Sequence, residues 1–177
     1  TAHTGGNHEV SNGGENWLGY SKRYPNAHTM AGSASFLWYS FEAGPAHVVM
    51  LCSYADFHVG SSQYAWLQRD LASFDRARTP WLIFVFHTPW YTSNAHHPMS
   101  EGAQMKAAME PVLLAAGADL VINGHVHAYE RMHAVADGKV DPKGIPHITI
   151  GDGGNREHFA TPWLDPQPAW SALREYA

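Results

Sequence analysis

The chain is organised around a buried apolar run that ends at a glycine and two histidines. Residues 120–122, Leu-Val-Ile, lead directly into Asn123-Gly124-His125-Val126-His127. On an extended backbone, residues two positions apart point to the same side, so the spacing of the two histidines predicts that their imidazoles reach one centre or two neighbouring centres.

Two further segments also contain side chains that could bind a metal ion. The apolar run 84–86 leads into His87, and a glycine-rich turn near the start of the chain contains Asn7-His8-Glu9. Neutral imidazole is the commonest nitrogen ligand of protein metals, and an amide oxygen suits a borderline or hard ion. The pattern therefore predicts that the three segments converge on metal.

The composition of the chain limits the classes of protein to be considered. In 177 residues, 45% are hydrophobic and 15% are charged, which predicts one packed domain or part of one. A net charge of -5 without a basic run argues against nucleic acid as a partner, and the lack of a long apolar stretch argues against a membrane span. The single cysteine, Cys52, excludes an internal disulfide and is predicted to be inert core.

The alternation of apolar patterns predicts an α/β layered sandwich with ligands at the carboxyl ends of its strands. Strands are predicted at 35–41, 47–52, 81–86, 120–123, 134–140 and 146–150, and the first two could form a hairpin. Helices are predicted at 61–74 and 101–116, the second capped by Ser100, kinked or split at Pro111 and ended by Gly117. Residues 1–34 and the proline- and tryptophan-rich stretch near the C-terminus are predicted to be loops.

Two loops carry further candidate residues. The pair His96-His97 follows His87 in the loop 88–100, and its spacing alone fits either a solvated loop or groups that bind an anionic substrate and protonate a leaving group. Residues 151–155, Gly-Asp-Gly-Gly-Asn, resemble an anion-binding turn, which is a weak signal when taken alone.

Several of these segments resemble the last motif blocks of the purple acid phosphatases, within the calcineurin-like metallophosphoesterases. They are Gly-Asn-His-Glu at 6–9, Phe-His-Thr-Pro-Trp-Tyr at 86–91 and Gly-His-Val-His-Ala-Tyr-Glu-Arg at 124–131. The segments 35–40, 148–155, 165–168 and 171–175 are similar to the sequences of plant-type members, so the resemblance covers nearly the whole chain.

The resemblance implies a metallophosphoesterase-type β-sandwich flanked by helices and an acid phosphatase that hydrolyses small phosphate monoesters. It implies a ferric ion beside a divalent Zn²⁺, Mn²⁺ or Fe²⁺, with the attacking hydroxide generated at the metals. Asn7, His87 and His125 would bind the divalent ion, and His127 the ferric ion. Asn7, His8, His96 and His97 would contact the phosphate, the three histidines would also act in catalysis, and Glu9 would support its motif.

The family pattern also contains ligands that this sequence does not. Its Gly-Asp and Asp-x-x-Tyr motifs, which supply aspartates and a tyrosine to the ferric site, are not found in the 177 residues. We therefore expect residues 1–177 to be the C-terminal portion of a catalytic domain that is truncated at both ends and lacks an N-terminal βαβ portion. The isolated 177 residues are then expected to have little phosphatase activity.

Two other functions fit the same motifs. One is a phosphodiesterase or nucleotide pyrophosphatase on this scaffold, and the other is a metal- or phosphate-binding protein without catalysis. The family resemblance implies a secreted or vacuolar protein, although the sequence contains no targeting segment, and it allows a homodimer of the intact protein.

Overall fold

A computed structural model of the chain describes residues 2–11, 16–24, 27–30, 33, 35–154 and 157–176. The chain divides into two compact units, Thr1–His87 and Thr88–Ala177. Both units combine helices with β-strands, which confirms the predicted α/β class. Among the described residues, no helix has the length and apolar character that crossing a membrane requires.

The first unit contains a β-hairpin followed by a β-α-β crossover. Strands β1 (Tyr39–Ala43) and β2 (Ala46–Met50) are antiparallel, and helix α4 (Ser62–Ser73) connects β2 to the parallel strand β3 (Trp81–Val85). Ser61 caps α4 by accepting a hydrogen bond from the backbone N–H of Tyr64 at 3.1 Å. The predicted hairpin, helix and central strands are confirmed to within a few residues.

Apolar burial holds the first unit together around β2, β3 and one face of α4. Val49, Leu67, Leu82 and Phe84 are fully buried, and each such side chain stabilises the fold by roughly 1.5–3 kcal/mol. Cys52 is also fully buried, and burial raises the pKa of its thiol to about 11, as an inert core residue requires.

The prediction of a loop over residues 1–34 is wrong. Three short helices lie there, α1 (Asn7–Ser11), α2 (Leu18–Arg23) and α3 (Ala27–Met30). Helices of four to six residues have no room for a helical repeat of apolar residues, so the periodicity that reveals α4 is not present in them. Hydrogen bonds to the rest of the unit fix this region instead, such as Thr4 Oγ1 to the Leu51 carbonyl at 2.8 Å.

The second unit is built on a four-stranded sheet with the order β4-β8-β5-β9. Strand β4 (Leu120–Asn123) is parallel to β8 (His147–Ile150), and β5 (Tyr129–Met132) is antiparallel to both β8 and β9 (Ser171–Glu175). The short strands β6 (Val135–Ala136) and β7 (Lys139–Val140) form a separate hairpin where one strand was predicted over 134–140. Because β4 and β8 run in the same direction, the turns after Asn123 and Ile150 leave the same edge of the sheet.

Helix α5 (Ala103–Ala116) differs from its prediction at its start and at Pro111. A 3₁₀ turn (Met99–Glu101) precedes it, and Gly102 occupies the N-cap position without a side-chain bond, so Ser100 is not the cap. The helix continues through Pro111. The missing N–H of the proline removes one hydrogen bond, but the burial of Met109, Glu110 and Leu113 on the inner face holds the helix in place. Gly117 ends the helix in the left-handed conformation, as predicted.

Candidate metal centre

In the first unit, the turn that contains Asn7 packs against the ring of His87. Oδ1 of Asn7 lies 3.0 Å from Nε2 of His87, a separation at which both atoms can reach one ion. A Cβ on Gly6 would lie 2.7 Å from Cε1 of His87, so only glycine allows the ring this position. The structure therefore brings together Asn7 and His87, two of the four predicted metal ligands.

Glu9 supports this turn in the way the sequence predicts. Its carboxylate accepts a hydrogen bond from the backbone N–H of Gly6 at 2.7 Å, and its own backbone N–H donates to the Gly6 carbonyl at 3.2 Å. The reciprocal pair closes the first turn of α1 and fixes Asn7 at the start of the helix. His8 is exposed, and its catalytic role stays a prediction.

In the second unit, the Gly124-His125-Val126-His127 motif is a pair of tight turns and not an extended strand. His125 has a φ of 67°, and the N–H of Val126 donates to the Gly124 carbonyl at 2.8 Å. The N–H of Ala128 then donates to the Val126 carbonyl at 2.8 Å. The predicted same-side geometry of an extended chain is therefore wrong, and His125 takes a left-handed backbone conformation that is uncommon for a non-glycine residue.

Gly151 allows this compact turn to form. The turn after β8 lies beside the turn after β4, and a Cβ on Gly151 would lie 1.9 Å from the Val126 carbonyl oxygen. A methyl group cannot occupy that position without moving the backbone of the histidine motif. The glycine-rich segment that resembles an anion-binding turn thus makes room for His125 and His127, and Asn155 of that segment lies outside the described residues.

The ring of His127 is oriented by a backbone carbonyl. Its Nδ1 lies 3.2 Å from the carbonyl oxygen of His158, which can only accept a hydrogen bond, so this contact favours the tautomer with the proton on Nδ1; Nε2 lies 3.8 Å from a carboxylate oxygen of Glu157. In the neutral ring the lone pair then belongs to Nε2, the arrangement found in metal-binding histidines.

His125 and His97 share a carboxylate that the sequence argument missed. Glu101 Oε2 lies 2.8 Å from Nε2 of His125 and 3.3 Å from Nδ1 of His97, and the ring centroids of the two histidines are 4.5 Å apart. The ligand atoms of these three residues all lie within 4.8 Å of one another. Two imidazoles and a carboxylate form a donor set that suits zinc and similar divalent ions.

The spacing of His97 and Glu101 contained a signal for this contact. Residues four apart on a helical turn face each other, and Glu101 lies in the 3₁₀ turn that follows the histidine pair. The sequence argument interpreted Glu101 only as an acidic residue of the first helical turn.

A buried asparagine fixes the loop that presents His96 and His97. Oδ1 of Asn94 accepts hydrogen bonds from the backbone N–H groups of both histidines at 2.9 and 3.0 Å, while its amide nitrogen donates to the Ala160 carbonyl. Asn94 is fully buried, so these bonds are protected from water. Burial lowers the pKa of His97, and the neighbouring His125 lowers it further, whereas Glu101 opposes both effects.

An open cleft of about 450 Å³ lies beside these side chains in the second unit. It is lined by His96, His97 and His127 and by residues 157–161, which contact His127 directly. The cleft is large enough for a small organic ligand, and its histidine side offers nitrogen donors to an anion or a metal.

Comparisons with known proteins match nearly the whole chain. The family model described as calcineurin-like phosphoesterase matches residues 2–129, and the one described as iron/zinc purple acid phosphatase-like protein C matches residues 144–177. Purple acid phosphatase 18 of Arabidopsis thaliana is 50% identical over 97% of this chain, and purple acid phosphatase 1 of Ipomoea batatas is 40% identical over 97%.

A solved structure supports the same relationship at the level of the fold. A purple acid phosphatase from yellow lupin seeds superposes with a TM-score of 0.80 at 23% identity, over 99% of this chain and 32% of its own. The chain spans 40% of the Arabidopsis relative and 40% of the Ipomoea relative. By these matches, the chain belongs to the calcineurin-like phosphoesterases and, within them, to the purple acid phosphatases.

Proposed function

We propose that the protein containing this chain is an acid phosphatase that hydrolyses small phosphate monoesters at a centre of two metal ions. The observation that carries the proposal is the cleft of the second unit, where His97 and His127 lie beside the Glu101–His125 pair. Family membership supports the same reaction class. In this proposal, residues 1–177 form part of one catalytic domain.

The donor atoms fit the ions that the family implies. Asn7, His87 and His125 would hold a divalent Zn²⁺, Mn²⁺ or Fe²⁺, and His127 would hold Fe³⁺ through its Nε2. Neutral nitrogen and oxygen donors suit such ions, and the contact between Asn7 and His87 is the right separation for two ligands of one ion. When bound, the two ions would activate water and stabilise the developing charge on the phosphoryl oxygens.

The second-unit histidines would bind the substrate and move the proton. His96 and His97 would contact the phosphate and protonate the leaving oxygen, and Asn94 would hold both at a fixed distance from it. His8 and Asn7 would complete the phosphate contacts from the first unit. Because the pKa of His97 is lowered, its protonated form becomes abundant only in acid, so a rate that depends on this proton should rise as the pH falls through that pKa.

We also propose a secreted or vacuolar location and a homodimer for the intact protein, on the family resemblance alone. Small phosphate esters are the expected substrates, and neither nucleic acid nor membrane is an expected partner.

The experiment uses the full-length gene product with 4-nitrophenyl phosphate as the monoester and bis(4-nitrophenyl) phosphate as the diester. We expect hydrolysis of the monoester, and we expect His127→Ala to lose at least about a hundredfold in kcat together with one equivalent of bound metal. His133→Ala is the matched control, because His133 is an exposed histidine of the same unit that does not line the cleft. Faster turnover of the diester would overturn the proposal and indicate a phosphodiesterase. Metal binding without hydrolysis of either ester would overturn it and indicate a metal-binding protein without catalysis.

A further inference from the structure

The cleft that the histidines line also contains an exposed aromatic ring. Residues 157–161 line it together with the histidines, and 47% of Phe159 is exposed. Large apolar side chains at this level of exposure are ordinary when scattered singly, but this one lines the same space as His97 and His127.

Neighbouring rings hold Phe159 in place. Its ring centroid lies 6.1 Å from that of Tyr176, which is stacked on Trp163 at 5.0 Å with an angle of 15° between the planes. Trp163 packs against the buried cluster of Val126, Ala128 and Ala160, and the guanidinium of Arg174 lies 5.7 Å above its ring. A row of three rings fixed to the core in this way loses little conformational freedom when a fourth ring is added.

The histidines and Phe159 have complementary chemistry for one kind of molecule. The histidines offer hydrogen-bond donors to a phosphate group, and the ring of Phe159 offers an apolar face to whatever group is attached to that phosphate. A cleft of about 450 Å³ accommodates a phosphate that bears one or two aromatic rings.

We propose that Phe159 determines substrate specificity by contacting the leaving group, and that the site prefers monoesters in which phosphate is attached to an aromatic ring. This inference rests on the proposed phosphatase function. In the reaction, the P–O bond to the aryl oxygen breaks and a P–O bond to the water oxygen forms. The aryl oxygen takes up the proton held by the histidine pair, one proton of the water replaces it, and the other stays on the new phosphate oxygen. Phe159 contributes contact with the ring and no proton.

The test compares aryl and alkyl monoesters in the full-length gene product. With Phe159→Ala, kcat/KM for 1-naphthyl phosphate should fall about fivefold to tenfold, and kcat/KM for glycerol 3-phosphate should change less than about twofold. Because each substrate is compared with itself, the intrinsic reactivity of its leaving group cancels. Phe159→Trp, which keeps an aromatic face, should retain the preference for 1-naphthyl phosphate.

Leu164→Ala is the matched control. Leu164 lies in the same unit, is 47% exposed like Phe159, and is not among the described residues that line the cleft. Equal losses for aryl and alkyl esters in Phe159→Ala, or an equal effect of Leu164→Ala on the aryl ester, would overturn the inference. Failure of the unmodified protein to hydrolyse any ester would instead overturn the proposed function, and the inference with it.

Discussion

The donors of the first unit and those of the second unit are held in place by different physical means. In the first unit, His87 lies two residues after the end of β3, and steric fit against Gly6 decides where its ring lies. In the second unit, the histidines lie on turns and loops whose positions depend on hydrogen bonds accepted by Glu101, Asn94 and the His158 carbonyl. A strand predicts the direction of the residue that follows it, whereas a hydrogen-bonded turn depends on partners that are distant in sequence.

The largest expected effect comes from the glycine that makes room for the second-unit turn. Gly151→Ala would place a methyl group 1.9 Å from the Val126 carbonyl, and because this neighbour is backbone, the histidine motif must move. We expect a loss of about 3 kcal/mol in the free energy of unfolding, measured by urea denaturation. Gly153→Ala is the control, since its Cβ would meet nothing within 4 Å, and equal stability of the two variants would contradict the steric argument.

A buried histidine makes the second unit sensitive to acid. Burial lowers the pKa of His147 from 6.5 to about 3. Between these two pH values, the imidazole is therefore protonated in the unfolded chain and neutral in the folded unit. Its effect on stability is absent above pH 6.5 and reaches a loss of roughly 2–3 kcal/mol by pH 4.5.

His147→Leu should remove that part of the pH dependence. Among the described residues neither ring nitrogen of His147 has a hydrogen-bond partner, so the substitution by leucine breaks no hydrogen bond. Urea denaturation at pH 7 and pH 4.5 measures the difference, and His133→Leu, at an exposed position, is the control. An unchanged slope between the two pH values would show that the imidazole is not the source of acid sensitivity.

Glu101→Gln tests whether the second-unit donors depend on hydrogen bonding. The amide keeps the shape of the carboxylate but loses its charge and half of its accepting capacity, so the rings of His125 and His97 should be less firmly oriented. We expect divalent metal to bind about tenfold more weakly, measured by competition with a chromogenic chelator. Glu175→Gln, at an exposed position on β9, should leave the affinity unchanged, and equal effects of the two substitutions would argue against the orienting role.

The smallest expected effect is that of Gly6→Ala in the first unit. The new methyl group would meet the ring of His87 at 2.7 Å, but a side chain can give way where backbone cannot. We expect a cost of about 1 kcal/mol in stability and a severalfold loss of metal affinity. A cost as large as that of Gly151→Ala would contradict the contrast between the two units. Gly44→Ala is unsuitable as a control because its φ of 58° is itself strained for alanine.

The same contrast explains how far the sequence could predict the structure. Strands β2, β3, β4 and β8 and helix α4 were predicted well because their apolar residues follow a period set by burial. Strands β5 and β9 were missed because charged residues, including the buried Glu130, interrupt that pattern. The helices in residues 1–34 were missed because each is shorter than the repeat that would reveal it.

Within the candidate centre, residue types could be predicted better than their geometry. His87 and Asn7 were predicted from a strand end and a glycine turn, and they lie together. The left-handed conformation of His125 could not be predicted by treating the motif as an extended strand, although the preceding glycine indicates a turn. Asn94 was missed because its role depends on the path of the loop 88–100, which no local pattern determines. Glu101 was missed although its four-residue spacing from His97 indicated the contact.

The buried carboxylate of Glu130 links this loop to the last strand of the chain. It accepts hydrogen bonds from the backbone and hydroxyl of Ser93 and from the hydroxyl of Ser171, so one side chain on β5 joins the start of the histidine loop to β9. During synthesis on the ribosome, Ser171 is made about eighty residues after Ser93. The hydrogen bonds that join Ser93, Glu130 and Ser171 are therefore complete only after β9 has left the ribosome.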